Sequence, residues 1–148
     1  PLFVDPVSTV KAEKLRGLLG HVHTLKPNRI EAELLSGVKI TDNATLHQAA
    51  QALLDQGVQR VFLSLGGDGV FAVQQGETHL EPICKAEMRN ATGAGDAMMA
   101  SLVWSFLAGR DLAESCAAGT AAAAIAVESE ETINPSMSAE AVLARAAK

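Results

Sequence analysis

Residues 90–96 read Asn90-Ala91-Thr92-Gly93-Ala94-Gly95-Asp96, a run of small residues that leads directly into a helical pattern. Such a loop exposes several backbone N–H groups at the positive end of a helix dipole, and no large side chain keeps a polyphosphate away. The N–H groups of Gly93, Ala94 and Gly95 are therefore predicted to form an anion hole. Asp96, in the first helical turn, could accept the proton of an attacking hydroxyl group, but it also fits a structural role at the helix start.

The sequence after this loop predicts three helices. Apolar residues recur on one helical face until Gly109 ends the first pattern. In the second pattern, Asp111 and Glu114 have the spacing of a capping box. Its side chains are small, mostly alanine, so we expect this helix to pack very close to its neighbour. The predicted helices are residues 95–109, 111–127 and 138–147, with a polar loop at residues 128–134.

The sequence before the loop alternates strands with helices, which is typical of an α/β fold. Short apolar runs predict strands, and amphipathic runs that end at Gly37 and Gly57 predict helices. Two glycine-containing turns then separate three strands, which predicts a meander at the edge of the sheet. The predicted strands are residues 2–4, 22–25, 61–63, 70–73 and 79–83, and the predicted helices are residues 10–19, 27–37 and 41–57.

Composition and charge restrict the possible classes of function. The chain has 148 residues, 48% hydrophobic and 20% charged, which predicts a single domain over residues 1–148 with a buried core. The formal net charge of -5 argues against a nucleic-acid-binding surface, because such a surface needs clustered Lys and Arg. No apolar run predicts a membrane span, and two cysteines without metal-ligand spacing favour a reducing cytoplasm.

Thr92-Gly93-Ala94-Gly95-Asp96, followed by small and apolar residues, resembles the C-terminal motif of the ribokinase-like (PfkB-type) kinases. The resemblance implies a Rossmann-like, three-layer α/β fold, of which this chain would be the C-terminal, nucleotide-binding part. It also implies transfer of the γ-phosphoryl group of ATP, with Mg²⁺, to a hydroxyl group of a sugar or nucleoside. In that family the aspartate of the motif is the catalytic base, which gives this role to Asp96.

A second part of the resemblance is Lys26-Pro27-Asn28-Arg29-Ile30-Glu31, which is similar to the family's Asn-x-x-Glu element near the metal and the phosphates. It implies that Asn28 contacts the nucleotide. It also implies that Glu31 holds Mg²⁺, directly or through water, since Mg²⁺ prefers oxygen ligands and usually retains water. The same spacing is that of a helix capping box, and taken alone it favours this structural interpretation.

The third part is Leu63-Ser64-Leu65-Gly66-Gly67-Asp68-Gly69-Val70, which is similar to the family's strand and glycine turn beside the nucleotide. The resemblance gives the hydroxyl group of Ser64 a phosphate contact. It also implies that the backbone approaches the nucleotide at Gly66, Gly67 and Gly69, because glycine permits a close approach. An ordinary hairpin turn remains the alternative interpretation of these residues.

The fourth part is the alanine-rich helix from Gly119 to Val127, which resembles the segment that lines one side of the adenine pocket in these kinases. Gly119 is accordingly a candidate nucleotide-binding residue. Alanine has the highest helix propensity, so the same run is also consistent with simple helix packing.

Two departures from the commoner family pattern resemble the pseudouridine-kinase branch. They are Asp5-Pro6-Val7-Ser8 with Lys11, and the segment Ala-Val-Glu-Ser-Glu-Glu-Thr-Ile-Asn-Pro at residues 126–135. The predicted acceptor is therefore the ribose 5′-hydroxyl of pseudouridine, with a free or phosphorylated sugar as the alternative. Family members often bind K⁺ between this second segment and an Asp-x-Thr sequence. Here Asn90 precedes Thr92 in place of the carboxylate, and a neutral ligand holds a cation less strongly, which predicts a modest K⁺ dependence.

Members of this family hold the sugar mainly with a preceding half that includes a glycine-rich pair and a β lid. Neither feature occurs in residues 1–148, and the strand-like start at Leu2 predicts a segment upstream of Pro1. The chain alone is expected to bind ATP weakly and to phosphorylate nothing. A nucleotide-binding module without catalysis is the alternative, and a homodimer through the lid is a further implication of the resemblance.

Overall fold

The computed structural model describes residues 1–90, 92–131 and 133–147. The chain forms two compact units, one of residues 1–66 and 70–80, the other of residues 67–69 and 81–148. The first unit contains both strands and helices, and the second is mainly helical. The single domain expected from chain length and composition stays a prediction.

Five strands form one mixed sheet, almost entirely within the first unit: β1 (Phe3–Val4), β2 (Thr24–Leu25), β3 (Arg60–Ser64), β4 (Val70–Gln74) and β5 (Glu77–Glu81). The strands are ordered β1-β2-β3-β4-β5. β1, β2 and β3 are parallel, so their carboxyl ends meet at one edge of the sheet. β4 is antiparallel to β3 and β5 lies next to β4, which confirms the predicted meander.

The helices of the first unit are α1 (Thr9–Glu13), α2 (Arg29–Ser36) and α3 (Asn43–Asp55). Both α2 and α3 pack against β3. Capping boxes define where these two helices begin, with N-caps at Asn28 and Asp42. The apolar residues of the strands and helices then share one core, which includes Leu25, Leu53 and Val61, all fully buried.

The helices of the second unit are α4 (Ala94–Leu107), α5 (Leu112–Val127) and α6 (Ala139–Ala146). α5 packs against both of the others, which explains why its side chains are small and mostly buried. Asp111 and Glu114 form the predicted capping box at the start of α5. Within the described residues, no helix has both the length and the hydropathy needed to cross a membrane.

The α/β prediction is confirmed, but two predicted elements differ from the structure. The helix expected at residues 10–19 ends at Glu13, after which residues 14–16 form hydrogen bonds three residues back instead of four. Gly17 is then left-handed, so an α-helix could not continue through it. The strand expected at residues 79–83 is instead β5, which starts directly after the turn at residues 75–76. It ends before Pro82, which has no N–H group for a strand hydrogen bond.

Candidate functional site

The loop before α4 has the conformation that an anion-binding helix start requires. Gly93 is the N-cap residue of α4 and is left-handed, with φ 92° and ψ -8°. No described side chain caps this helix, so the N–H groups of its first turn are not occupied by a side-chain acceptor. Asp96 lies in that first turn and is exposed to solvent. The structure therefore places Gly93, Ala94, Gly95 and Asp96 together at one helix start.

Asn90 connects this loop to the segment that follows α5. Its Oδ1 accepts a hydrogen bond from the Thr92 N–H group at 2.9 Å, and its Nδ2 donates to the backbone carbonyl of Glu130 at 3.2 Å. The backbone N–H groups of Arg89 and Asn90 both donate to the carbonyl of Val127. Three hydrogen bonds thus join the loop to the end of α5 and the segment after it, and the bond from Thr92 to Asn90 lies within the loop itself. Ala91 and Thr132, which belong to the quoted motifs, lie outside the described residues.

This arrangement does not favour a monovalent cation. A cation such as K⁺ needs oxygen ligands that point toward it, whereas Asn90 directs an N–H donor at the carbonyl of Glu130. The bond from Thr92 to Oδ1 is consistent with this orientation of the amide group. The residues present therefore fit K⁺ poorly, and the cation role of Asn90 and Thr92 stays a prediction.

A cavity of about 510 Å³ adjoins the loop, with Gly93 and Asp96 in its wall. The rest of the wall is mostly apolar and comes from α4, α5, α6 and residues 133–138. Ser101 is buried there, and its hydroxyl group has no hydrogen-bond partner among the described residues. A cavity with so few polar groups cannot bind the several hydroxyl groups of a sugar by itself.

In the first unit, Asn28 and Glu31 form the capping box of α2. Oδ1 of Asn28 accepts from the Glu31 N–H group at 2.8 Å, and Oε1 of Glu31 accepts from the Asn28 N–H group at 2.9 Å. Glu31 is only 3% exposed. Within the described residues, no three His, Cys, Asp or Glu side chains form a metal-binding group. Mg²⁺ at Glu31 would therefore take most of its ligands from phosphate and water, as Mg²⁺ commonly does.

Ser64 lies beside this capping box. It forms a parallel β-bridge with Asn28, and its N–H group donates to the carbonyl of Pro27 at 2.9 Å. Its hydroxyl group is 3.3 Å from the same carbonyl. The structure therefore brings Asn28, Glu31 and Ser64 together at the carboxyl ends of β2 and β3, where open α/β sheets bind ligands.

The four candidate glycines outside the loop differ in the space around them. A Cβ atom at Gly66 or Gly67 would have no neighbour within 4 Å, so these positions leave room for a ligand. A Cβ atom at Gly69 would lie 2.0 Å from the carbonyl oxygen of Glu81, and one at Gly119 would lie 3.2 Å from Cγ of Met98. Packing within the chain thus accounts for Gly69 and is consistent with a small residue at Gly119, and the nucleotide contacts of all four stay predictions.

Sequence reasoning missed one further pair at the same sheet edge. Lys26 follows β2 and Asp5 follows β1, and the two side chains form an ion pair of 3.1 Å. The signal in the sequence was a charged residue directly after each of two short strands. This signal did not predict the ion pair, because only the parallel pairing of β1 and β2 brings the two charges together.

Comparison with known proteins agrees with this geometry. The family model described as "pfkB family carbohydrate kinase" matches residues 1–139. The pseudouridine kinase of Escherichia coli strain K12 is 42% identical over 139 residues, which are 93% of this chain and 44% of that protein. Among solved structures, a protein of Clostridium perfringens, provisionally described as a sugar kinase, matches with a TM-score of 0.92 and 34% identity over 98% of this chain and 46% of that one.

A ribokinase of Arabidopsis thaliana, solved with ribose and ATP, matches with a TM-score of 0.78 and 30% identity over 87% of this chain and 42% of that one. The chain therefore belongs to the pfkB family of carbohydrate kinases, a family of phosphotransferases. Its fold is that of the ribokinase-like structures. The chain spans less than half the length of these relatives.

Proposed function

We propose that this chain is the nucleotide-binding part of a kinase that transfers the γ-phosphoryl group of ATP to a hydroxyl group of a sugar or nucleoside. The observation that carries the proposal is the start of α4. A left-handed Gly93 leaves the first N–H groups of the helix without a side-chain cap, and Asp96 lies in the same turn. Membership of the pfkB family supports this assignment.

In the proposed reaction, Asp96 accepts the proton of the acceptor hydroxyl group as that oxygen attacks the γ-phosphorus. The N–H groups of residues 93–95 stabilise negative charge on the phosphoryl oxygens. Glu31 and Asn28 are assigned to the metal and the nucleotide, with Ser64 as a phosphate contact. When bound, Mg²⁺ supplies positive charge that offsets the charge of the phosphates.

We assign the acceptor to the ribose 5′-hydroxyl of pseudouridine. Support comes from the 42% identity to the pseudouridine kinase of Escherichia coli and from the two segments that resemble that branch, which follow β1 and α5. The mostly apolar cavity beside Asp96 offers few partners for sugar hydroxyl groups. We therefore assign the acceptor site to a part of the enzyme outside residues 1–148, and we expect no kinase activity from these residues alone.

The test is a comparison of acceptors in the full-length enzyme. Values of kcat/KM for pseudouridine, ribose and fructose 6-phosphate, each with and without K⁺, separate the possibilities. A clear preference for pseudouridine with little K⁺ activation is expected. Preference for a free sugar or for fructose 6-phosphate would reject the acceptor assignment, and transfer to none of them would leave a nucleotide-binding module without catalysis as the better description.

A further inference from the structure

Three parallel strands end at one edge of the sheet in the first unit, and a polar residue lies at or just after each end. They are Asp5 after β1, Lys26 after β2 and Ser64 at the end of β3. In open α/β sheets, ligands bind outside the carboxyl ends of the strands. The proposed function uses Ser64 at this edge but gives no role to Asp5 or Lys26.

Lys26 has donor capacity that the chain does not use. Its side chain is only 9% exposed and its Nζ lies 3.1 Å from Oδ2 of Asp5. A lysine ammonium group has three N–H donors, and among the described residues Asp5 is the one side chain that pairs with it. A buried ammonium group is costly unless its charge and donors are paired. The position therefore suits a second, anionic partner.

Asp5 is fixed in place at both of its oxygens. Oδ2 contacts Lys26, and Oδ1 accepts a hydrogen bond from the N–H group of Val7 at 3.0 Å. Val7 has φ 68°, a left-handed conformation that a β-branched residue rarely adopts. Backbone strain of this kind costs about 1–3 kcal/mol and is often found where a functional geometry has to be kept. The turn after β1 thus holds the carboxylate against Lys26 at an energetic cost.

We propose that Lys26 binds a phosphate oxygen of the nucleoside triphosphate, and that Asp5 is the positioning residue that directs its ammonium group. The inference rests on the proposed function. Lys26 is two residues from Asn28, the N-cap of α2, and Asn28 is bridged to Ser64. The ammonium group therefore supplies positive charge at an edge where Asn28 and Ser64 are neutral and Asp5 and Glu31 are negative.

A purely structural ion pair is the competing explanation, and a double variant separates the two. Removing one partner of a buried pair leaves an uncompensated charge and destabilises the fold. Replacing both partners in Asp5→Asn/Lys26→Met removes the charges together, and Asn retains an oxygen for the Val7 N–H group. Glu13→Gln/Arg16→Met is the matched control, since it removes an exposed ion pair of the same unit with the same change in charge.

The experiment titrates tripolyphosphate, ATP and adenosine into the 148-residue chain and follows the backbone amide resonances of Lys26 and Asn28, which reports binding even in the millimolar range. Tripolyphosphate and ATP should shift both resonances in the original chain and in the control variant. The Asp5→Asn/Lys26→Met variant, checked for folding by its thermal midpoint, should bind both about tenfold to a hundredfold more weakly, the range expected for a charge-assisted hydrogen bond. Adenosine should bind equally to all three.

Wild-type affinity in the folded double variant, or no shift at Lys26 and Asn28 with tripolyphosphate, would overturn the proposal. A titration with ribose 5-phosphate tests whether the phosphate belongs to an acceptor and not to the nucleotide. If it binds in a Lys26-dependent way and tripolyphosphate does not, the phosphate belongs to an acceptor and the nucleotide assignment is wrong. A full-length enzyme that transfers no phosphoryl group would reject the proposed function, while Lys26-dependent binding of tripolyphosphate would still stand.

Discussion

The side-chain amide of Asn90 donates a hydrogen bond of 3.2 Å to the backbone carbonyl of Glu130, across 40 residues of sequence. The opposite end of the same amide accepts the N–H group of Thr92. One neutral side chain therefore holds the loop before α4 against the segment after α5. A carboxylate at this position would need a cation between two oxygens to make the same connection.

Asn90→Asp should make stability depend on K⁺ more strongly than it does in the original chain. The substitution places a carboxylate oxygen against the carbonyl of Glu130, which should lower the free energy of unfolding by about 0.5–1.5 kcal/mol, the net contribution of one hydrogen bond. Thermal unfolding in KCl and in choline chloride of equal ionic strength measures the effect. We expect KCl to raise Tm of this variant selectively.

The matched control for this prediction is Asn134→Asp. Nδ2 of Asn134 donates to the carbonyl of Ile125 at 2.7 Å, so the substitution removes a comparable hydrogen bond from the same region. It should lower Tm equally in both salts. The same K⁺ response in both variants, or in the original chain, would contradict the role given to Asn90.

Asp96→Asn should abolish phosphoryl transfer in the full-length enzyme and leave ATP binding nearly unchanged. Only the proton acceptor is lost, and removal of a general base costs roughly 10²–10⁴-fold in rate. Single-turnover rates and ATP titrations measure the two effects separately. Asp111→Asn makes the same change at the N-cap of α5, where Asn caps as well as Asp, and should not alter the rate. Near-normal turnover in Asp96→Asn would remove Asp96 from the mechanism.

Glu31→Gln should raise the Mg²⁺ concentration needed for half-maximal rate more than it lowers stability. Gln keeps the oxygen that accepts the Asn28 N–H group, so the capping box of α2 is retained while the charge is lost. Mg²⁺ titrations of the rate, together with thermal unfolding, distinguish the two effects. Glu114→Gln alters the equivalent position of the α5 capping box and should leave the Mg²⁺ requirement unchanged. A lower Tm with an unaltered Mg²⁺ titration would favour a purely structural Glu31.

Cys116 should resist alkylation in the folded chain. Burial, with a smaller effect of the negative charge of Glu81, raises the pKa of its thiol to about 12, so little of the reactive thiolate forms at neutral pH. Mass spectrometry after iodoacetamide treatment should find the label on Cys84, which is only part-buried, and on both cysteines in denaturant. Equal labelling of the two in the folded chain would contradict the prediction.

The same pKa shift makes stability depend on pH in a definite direction. The thiol of Cys116 ionises at a lower pH in the unfolded chain than in the folded chain, so the unfolded state binds fewer protons above its own thiol pKa. Stability from this residue is therefore complete below that pKa and falls as the pH rises toward about 12. Cys116→Ala should flatten this alkaline decrease in urea-unfolding measurements, even if it is less stable overall.

The features that could be predicted from the sequence are those with local causes. The capping boxes at Asn28 and Asp111 are set by residues three apart, and the start of α4 is set by Gly93. The helix predicted at residues 10–19 was too long, because the apolar pattern continues beyond Glu13 and does not reveal where the hydrogen bonds change to a three-residue spacing. Local spacing therefore located the candidate loop and the Asn-x-x-Glu element.

The features that could not be predicted depend on contacts between distant residues. Asp5 meets Lys26 only because β1 and β2 are parallel and in register, and Asn90 meets Glu130 only because α5 returns the chain to the loop. Sequence alone also could not distinguish glycines that face open space from glycines that lie close to other atoms of the chain. Gly69 and Gly119 are of the second kind, which only the surrounding atoms reveal. The sequence shows which side chains can carry charge or form hydrogen bonds, but it does not show which residues they contact.

Gly119 is the one candidate site residue in α5, yet two residues of this helix determine where the loop before α4 can lie. The absence of a side chain at Gly119 allows α4 to approach closely, because a Cβ atom there would lie 3.2 Å from Cγ of Met98, closer than most such contacts. At its end, the carbonyl of Val127 receives the N–H groups of Arg89 and Asn90. α5 therefore sets two distances: the separation from α4 at Gly119, and the position of the loop at Val127. A substitution that shifts α5 at either position would misalign the loop before α4, although no residue of the loop itself is changed.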